Sequence, residues 1–520
     1  MNIAFRVDSS NEIGTGHVMR SLTLAEELKT HTNNIIFICR DHDGNLKNFI
    51  NEKGYKVALL PKIAFKRTAI FSDYYNWLSS LWNQDANDTI NVIKNDILDL
   101  LIIDHYGIDY RWHNKLRDST KKIIVIDDLN DRKLDCDLLL DQTYGRKKQD
   151  YLKLIPDDCE ILLGAKYALL RPEFSLFRSK AIEKRKKSSH INNILITMGG
   201  MDIDNITSHI IKTLASVKWQ KNPSINVVLN GLAPHLDTVL NLTKNLGLKI
   251  NVIKNANNMA ELMVEADLAI GTSGSTSWER CALGLPTLAI CSAHNQKDIL
   301  KALQKASAHI VIDNTIDKNN GILQSIVFQL GEIQKKPKIL YSMSKKSFNI
   351  CDANGVHWVN LKISPIKAKN NQELEFRAAL ISDAKIIYRW QCHPQTRRFA
   401  NDSAALEWDT HLKWMKKKIN DLLSFYWIIL HADKPSGVLL LDPIDLGEGE
   451  GYLISIFVNP EKYSLGIASA ALETCKIIFP KSRLYAKILP GNNKSISLFT
   501  RVGFRFRVDL NYYELDLING

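Results

Sequence analysis

A strand-like stretch, Asn2 to Val7, runs into Asp8-Ser9-Ser10-Asn11-Glu12-Ile13-Gly14-Thr15-Gly16-His17, and a Leu- and Ala-rich helix follows. Gly14 and Gly16 permit a tight turn and close approach to a ligand. His17 falls in the first turn of the expected helix, where it can act as a base toward the ligand or merely cap the helix. The spacing excludes the G-x-G-x-x-G dinucleotide fingerprint and the Walker loop. A second loop opens after the strand Ala266–Ile270, reading Gly271-Thr272-Ser273-Gly274-Ser275-Thr276-Ser277-Trp278-Glu279-Arg280. Backbone N–H groups from Gly274 to Ser277, aided by the hydroxyls, suit a diphosphate at a helix start. Glu279, deeper in that helix, can accept from ribose hydroxyls. The alternative is an N-cap that serves stability alone. Beyond Gly284 and Pro286, Ala293-His294-Asn295-Gln296 forms a polar loop at the next strand end, where ligands bind in such sheets. A third strand–turn–helix, Tyr452–Val458 followed by Ser464 and Gly466, offers the same anion chemistry.

Positioning these loops requires parallel sheets. Asn2–Val7, Ile35–Cys39, Leu100–Ile103, Ile123–Ile126 and Leu138–Leu140 are continuous apolar runs, the pattern of strands covered by helices on both faces. Asn193–Met198, Ile225–Leu229, Ile250–Ile253, Leu268–Ile270 and Thr287–Ile290 repeat it. The charged segment Ala181 to His190 between the sets reads as a linker. A second linker, Lys362 to Asn371, is polar, basic and carries Pro365. After it, Trp390, Trp408, Trp414 and Trp427 cluster and a mixed α/β domain begins. The domains expected are 1–180, 190–362 and 373–517.

The 520 residues are 45% hydrophobic and 24% charged, which excludes a disordered or disulfide-scaffold protein. The net charge of +12 suits phosphate-bearing ligands. The basic runs are short, at Glu183–Lys187, Lys345-Lys346 and Lys416–Lys418, which argues against nucleic acid. No apolar run is long enough to span a bilayer, and the N-terminus lacks a signal-peptide pattern. Cys39, Cys136, Cys159, Cys281, Cys291, Cys351, Cys392 and Cys475 are scattered without metal-site spacing. A cytoplasmic, metal-free protein, monomeric or homodimeric, is expected.

Several runs together carry a resemblance. They are Arg6–Ser10 with Ile13–Ala25, Asp104-His105-Tyr106, Ile126–Leu129, Leu139–Gln142, Leu169–Phe174, Gly199–Thr207 and Ser277–Gly284. In this order they resemble the UDP-sugar hydrolases of pseudaminic acid biosynthesis, over roughly residues 1 to 360. The resemblance implies a GT-B fold, an α/β pair of Rossmann-like domains, and hydrolysis of a UDP-diacetamido-trideoxy sugar. It implies His17 as the base that activates water, with Gly14 and Gly16 shaping the loop. Asp104, His105, Tyr106 and Arg171, with Asn295 and Gln296 opposite, would bind the sugar side. Gly274, Ser275, Thr276 and Ser277 would hold the diphosphate, and Glu279 the ribose.

From about 373 to 515 the chain resembles the GNAT acyltransferases, through Tyr452–Ala468 and through Asn492–Ser495 before Gly503-Phe504. Its early part, Leu374–Arg377, Pro394–Arg397 and Trp408–Trp414, resembles the sugar N-acetyltransferases of the same pathway. The resemblance implies acetyl-CoA as co-substrate, bound through Ile456, Val458, Ser464, Gly466, Ala468 and Asn492. Two positions depart from the pattern. Tyr463 stands where the turn usually has Arg or Gln, and Phe499 where the helix often carries a tyrosine acid. Glu448 and Glu450 are candidate bases, or simply a solvated acidic loop.

Overall fold

The computed structural model describes residues 1–518, leaving aside 64–73, 95, 200, 245, 294–295, 313–319, 401–405 and 448. The chain forms two compact units, Met1–Val359 and Asn360–Gly520.

The first unit contains two sheets. One joins β1 (Ile3–Val7), β2 (Ile35–Arg40), β3 (Lys56–Leu60), β4 (Leu100–Asp104), β5 (Ile123–Ile126), β6 (Leu138–Asp141) and β7 (Glu160–Leu163), in the order β3-β2-β1-β4-β5-β6-β7. Every pairing in it is parallel. The other joins β8 (Asn193–Thr197), β9 (Ser224–Leu229), β10 (Lys249–Lys254), β11 (Leu268–Thr272), β12 (Thr287–Ile290) and β13 (His309–Ile312), in the order β10-β9-β8-β11-β12-β13, again parallel throughout. Both reverse direction of growth beside their first strand, β1 or β8, the topological switch where such sheets open a crevice. This is the expected GT-B pair. Each sheet carries its own core, one around Trp112 and Leu101, the other around Ile196 and Ile270.

Most of the segment expected as a linker, Ala181 to Lys187, belongs to the helix Arg178–Lys187. Its buried residues are Arg178, Ala181, Ile182 and Arg185, the i, i+3, i+4, i+7 face of an amphipathic helix. Arg178 donates to the carbonyls of Ala282, Phe348 and Cys351. Arg185 donates to those of Met263, Ala266 and Gly284. Burial pushes the Arg185 guanidinium down to about 10, with Asp267 pulling the other way. The charged run therefore docks a helix: the two arginines reach main-chain acceptors while Glu183, Lys186 and Lys187 face water.

The second unit holds one mixed sheet, β14 (Leu374–Ala378), β15 (Phe425–His431), β16 (Lys434–Asp445), β17 (Glu450–Val458), β18 (Arg483–Ala486), β19 (Arg505–Arg507) and β20 (Tyr512–Asp516), ordered β14-β15-β16-β17-β18-β20-β19. Trp390 and Trp427 are buried, and Trp408 and Trp414 pack half-buried against the core around Ile428. The tryptophan cluster is thus packing. The second expected linker is also ordered, since Lys367 bridges Glu373 and the Lys369 N–H donates to the Leu465 carbonyl at 3.0 Å.

Replacing Arg185 by Met strands three buried carbonyls, and should cost the first unit roughly 2–4 kcal/mol. A lowered denaturant midpoint for that unit alone is the expected reading; an unchanged midpoint refutes the docking role.

Candidate active sites

The first site lies at the carboxyl ends of β1 and β4. The loop after β1 folds tightly, with the Gly14 N–H on the Ser10 carbonyl at 2.9 Å and Gly14 in the left-handed region at φ +77°. The helix Gly16–Leu28 then starts, with His17 in its first turn and almost buried. Asp104 closes β4 on the central side of the sheet. Its Oδ1 lies 2.5 Å from His17 Nδ1. Burial by itself would raise the Asp104 carboxyl, but Arg20 and His17 outweigh it and hold the group well below the usual carboxylate range. An ionised carboxylate only accepts, so Nδ1 carries the proton and Nε2 is the ring's basic atom. Arg20 grips both Asp104 oxygens at 2.7 Å and reaches Asp128 Oδ2 at 2.5 Å. Tyr106 donates its hydroxyl to the same Asp128 oxygen at 3.0 Å, and its ring meets the His17 ring edge-on at 4.6 Å. Trp77 stacks on Tyr106 and also touches His17, which walls the imidazole with aromatic carbon.

Asp104, His17 and Tyr106 thus share one site. His105 is placed differently. Its Nδ1 accepts from the Gly107 N–H and its Nε2 faces Asp8 Oδ2 at 3.1 Å, inside the protein. There it joins a buried charge network in which Arg6 and Arg40 both bind Asp85, and Arg6 also binds Asp8. His105 is therefore held in the interior beneath the site, between Gly107 and Asp8. Arg20 and Asp128 are members of the site that the sequence motifs do not single out. The signal for Arg20 was its i+3 spacing from His17, which puts both side chains on one helix face. Nothing in one sequence tells Asp128 from Asp127, whose carboxylate bonds its own turn at Leu129 and Asn130.

The second loop begins the short helix Thr276–Ala282. A Cβ placed on Gly16 would lie 3.9 Å from Ser275 Oγ, so the two loops meet across the unit. The Ser277 N–H, expected to be free, donates to the Gly274 carbonyl at 2.9 Å. The amides of Ser275 and Thr276 belong to the helix start, where N–H groups have no intrahelical partner. Arg280 is fully buried behind the turn and donates to the Thr272 carbonyl. Glu279 is raised by burial, with Arg171 and Arg280 opposing. Arg171 itself pairs with Glu173 at 2.9 Å. Gln296 folds back so that its carboxamide oxygen accepts from Ser292, and Asn295 lies outside the described residues.

In the second unit β17 pairs with β16 over Gly437–Asp445 but with β18 only from Gly451 to Leu453. Beyond Leu453, among the described residues, β17 has a strand neighbour on one side only. Ile456 and Val458 lie on that splayed stretch. Ser464 (φ +69°) and Gly466 (φ +82°) form the turn after it, and Ala468 sits in the first turn of the helix Ile467–Ile478. A strand edge followed by helix-start amides fits a pantetheine arm ending in a pyrophosphate. Asn492 caps the next helix, its oxygen accepting from the Ser495 N–H at 3.2 Å. Tyr463 turns its hydroxyl to Thr396, and Phe499 is buried edge-on against Phe504. Glu450 is exposed at the other end of β17, about 26 Å of strand from Val458, and Glu448 lies outside the described residues.

Comparison with known proteins decides the family. Residues 193–356 match the glycosyltransferase family 28 C-terminal domain, and residues 386–504 the acetyltransferase (GNAT) family. The UDP-2,4-diacetamido-2,4,6-trideoxy-beta-L-altropyranose hydrolase of Campylobacter jejuni is 31% identical over 59% of this chain and 97% of its own length. The chain belongs to that hydrolase family. An uncharacterized protein of Methanocaldococcus jannaschii is 28% identical over 97% of both chains. MurG of Acinetobacter baumannii superposes on 70% of this chain and 99% of its own, at 14% identity and a TM-score of 0.49. The hydrolase-family module and the acetyltransferase-family domain are thus fused in one polypeptide. No described helix is long and apolar enough to cross a membrane.

A Cβ on Gly466 would stand 2.8 Å from Lys369 Cγ and 3.0 Å from its backbone nitrogen. With the left-handed φ as well, Gly466→Ala must displace the turn. A tenfold or larger loss of coenzyme A affinity, about 1.4 kcal/mol or more, is expected by calorimetry. Unchanged affinity would place the pyrophosphate elsewhere.

Proposed function

We propose that the first unit hydrolyses UDP-2,4-diacetamido-2,4,6-trideoxy-β-L-altropyranose to UDP and the free sugar. The second unit acetylates the 4-amino group of the precursor UDP-sugar from acetyl-CoA. The chain would then act in the cytoplasm on two consecutive steps of pseudaminic acid biosynthesis. The observation that carries the hydrolase reading is the His17–Asp104 pair, set beside the Ser275 loop of the family 28 half.

In this mechanism His17 Nε2 takes a proton from water as the water oxygen bonds to the anomeric carbon. The bond from that carbon to the diphosphate oxygen breaks, and UDP departs with the electron pair. UDP is a good leaving group, so positioning the water and stabilising charge suffice. Asp104 stabilises the imidazolium that forms, as the carboxylate does in a Ser-His-Asp triad. The loop Gly274–Ser277 would hold the diphosphate and Glu279 the ribose. Tyr106 and Trp77 shield the base from bulk water on one flank.

In the second unit the splayed edge of β17 and the amides after Ser464 would orient acetyl-CoA. The substrate amine must be neutral to attack the thioester carbonyl, and the coenzyme A thiolate must leave. Phe499 cannot protonate that thiolate, so water or another group must.

A second reading, glycosyl transfer, is favoured by the family 28 match. It requires an acceptor. Free sugar and UDP appearing with none present, followed by phosphorus NMR and mass spectrometry, select hydrolysis; sugar retained until an acceptor is added selects transfer. His17→Ala should reduce UDP release more than about 10³-fold, and Asp104→Asn by roughly 10²–10⁴-fold. Acetylation by either variant should continue, with acetylated UDP-sugar accumulating. Wild-type rates of UDP release in His17→Ala would remove the histidine from the mechanism. If the amine stays unmodified while supplied diacetamido substrate is cleaved, the GNAT domain is a binding or assembly module.

A further inference from the structure

The reactive histidine sits in a closed circuit of contacts. His17 Nδ1 donates to Asp104, and both Asp104 oxygens are held by Arg20. Arg20 continues to Asp128, Asp128 accepts from Tyr106, and the Tyr106 ring returns to the His17 ring. Ser21 Oγ adds a long contact to Asp104 at 3.4 Å. Among the described residues, the charged groups around the imidazole are therefore Asp104 from β4, Arg20 from its own helix and, behind Arg20, Asp128 after β5. Tyr106 and Trp77 present uncharged rings. Across the unit, the loop near Gly16 offers the neutral hydroxyl of Ser275.

Within this circuit Arg20 occupies a particular place. It is buried, and its Nη2 lies 3.4 Å from His17 Nδ1 while donating to the same Asp104 oxygen that His17 uses. Only a planar fork can hold both oxygens of one carboxylate and still reach a second carboxylate with its remaining nitrogen. Without it, Asp104 could rotate about its side-chain bonds and lose its alignment on Nδ1. Its full negative charge would then also fall on the imidazole. A base tied to an unopposed carboxylate is more readily protonated, and a protonated imidazole cannot activate water.

We propose that Arg20 is a positioning residue for the hydrolysis, fixing Asp104 against His17 and offsetting part of the Asp104 charge so that the imidazole is available as a base. It touches neither water nor sugar in this role; it acts through Asp104. The proposal rests on His17 being the base of the proposed hydrolase.

The test measures UDP release by the full-length protein across pH for wild type, Arg20→Met and Arg20→Lys. UDP affinity, measured by calorimetry, serves as the check on folding. Arg20→Met should lower kcat by roughly 30–100-fold with KM within about threefold, and move the acid limb of the profile upward by about one pH unit. Arg20→Lys keeps the charge and loses the fork. Its acid limb should stay near that of wild type while kcat falls by about tenfold. An acid limb unmoved in Arg20→Met, with or without a lower kcat, overturns the proposal. So does loss of UDP affinity in both variants, which would make Arg20 a residue of the fold. Wild-type protein that releases no UDP at any pH would instead overturn the hydrolase reading, and this inference with it.

Discussion

A carboxylate with no exposed surface has to be satisfied from inside the protein, and the first unit is arranged around satisfying Asp104. Leaving such an anion unpaired costs several kcal/mol. Among the described residues its side-chain partners are not strand residues. They come from the helix Gly16–Leu28, which delivers His17 and Arg20 together from one face at its N-terminal end. That helix can approach only because the loop after β1 turns through the left-handed glycine Gly14. One layer below, Asp8, His105, Arg6, Arg40 and Asp85 pair among themselves and stiffen the ends of β1, β2 and β4. The His17–Asp104 pair is thus the visible tip of a charge-balanced interior.

The central strands were legible in the sequence because they are buried on both faces and read as unbroken apolar runs. The strands without a clear apolar run, Lys56–Leu60, Glu160–Leu163 and His309–Ile312, are sheet edges. Lys56 is exposed and Glu160 half-buried, so the apolar signal is diluted. The short strands at the start and end of the second unit are diluted in the same way. The helix Arg178–Lys187 was obscured by its composition, since a run of basic residues looks solvated. Its i, i+3, i+4, i+7 face was present, with arginine where a core position usually carries leucine.

The site was legible where glycine and histidine spacing implied strand, loop and helix. It was obscure where a side chain's partner comes from far along the chain. Asp104 lies 87 residues from His17, and Asp128 lies 108 from Arg20. No local pattern encodes such a meeting. The same limit explains His105, whose place in a run with Asp104 and Tyr106 suggested a common direction. On a chain leaving a strand, adjacent side chains diverge, and His105 turns inward to Asp8. Asn492 shows the converse: an Asn before a helix is an N-cap by default, and in this chain its oxygen does that work.

The docking of the Arg178–Lys187 helix also bears on how this unit tolerates change. Both arginines grip main-chain carbonyls, and a carbonyl is present whatever side chain its residue carries. Met263, Ala266, Ala282 and Cys351 can therefore drift in identity without erasing the acceptors. Gly284 cannot, since its left-handed φ and the Phe348 ring beside it leave no room for a Cβ. The specificity of the contact is written almost wholly on one partner. In a diverging lineage, positions 178 and 185 should be the slowest to change on that helix, while the surface they hold varies around them.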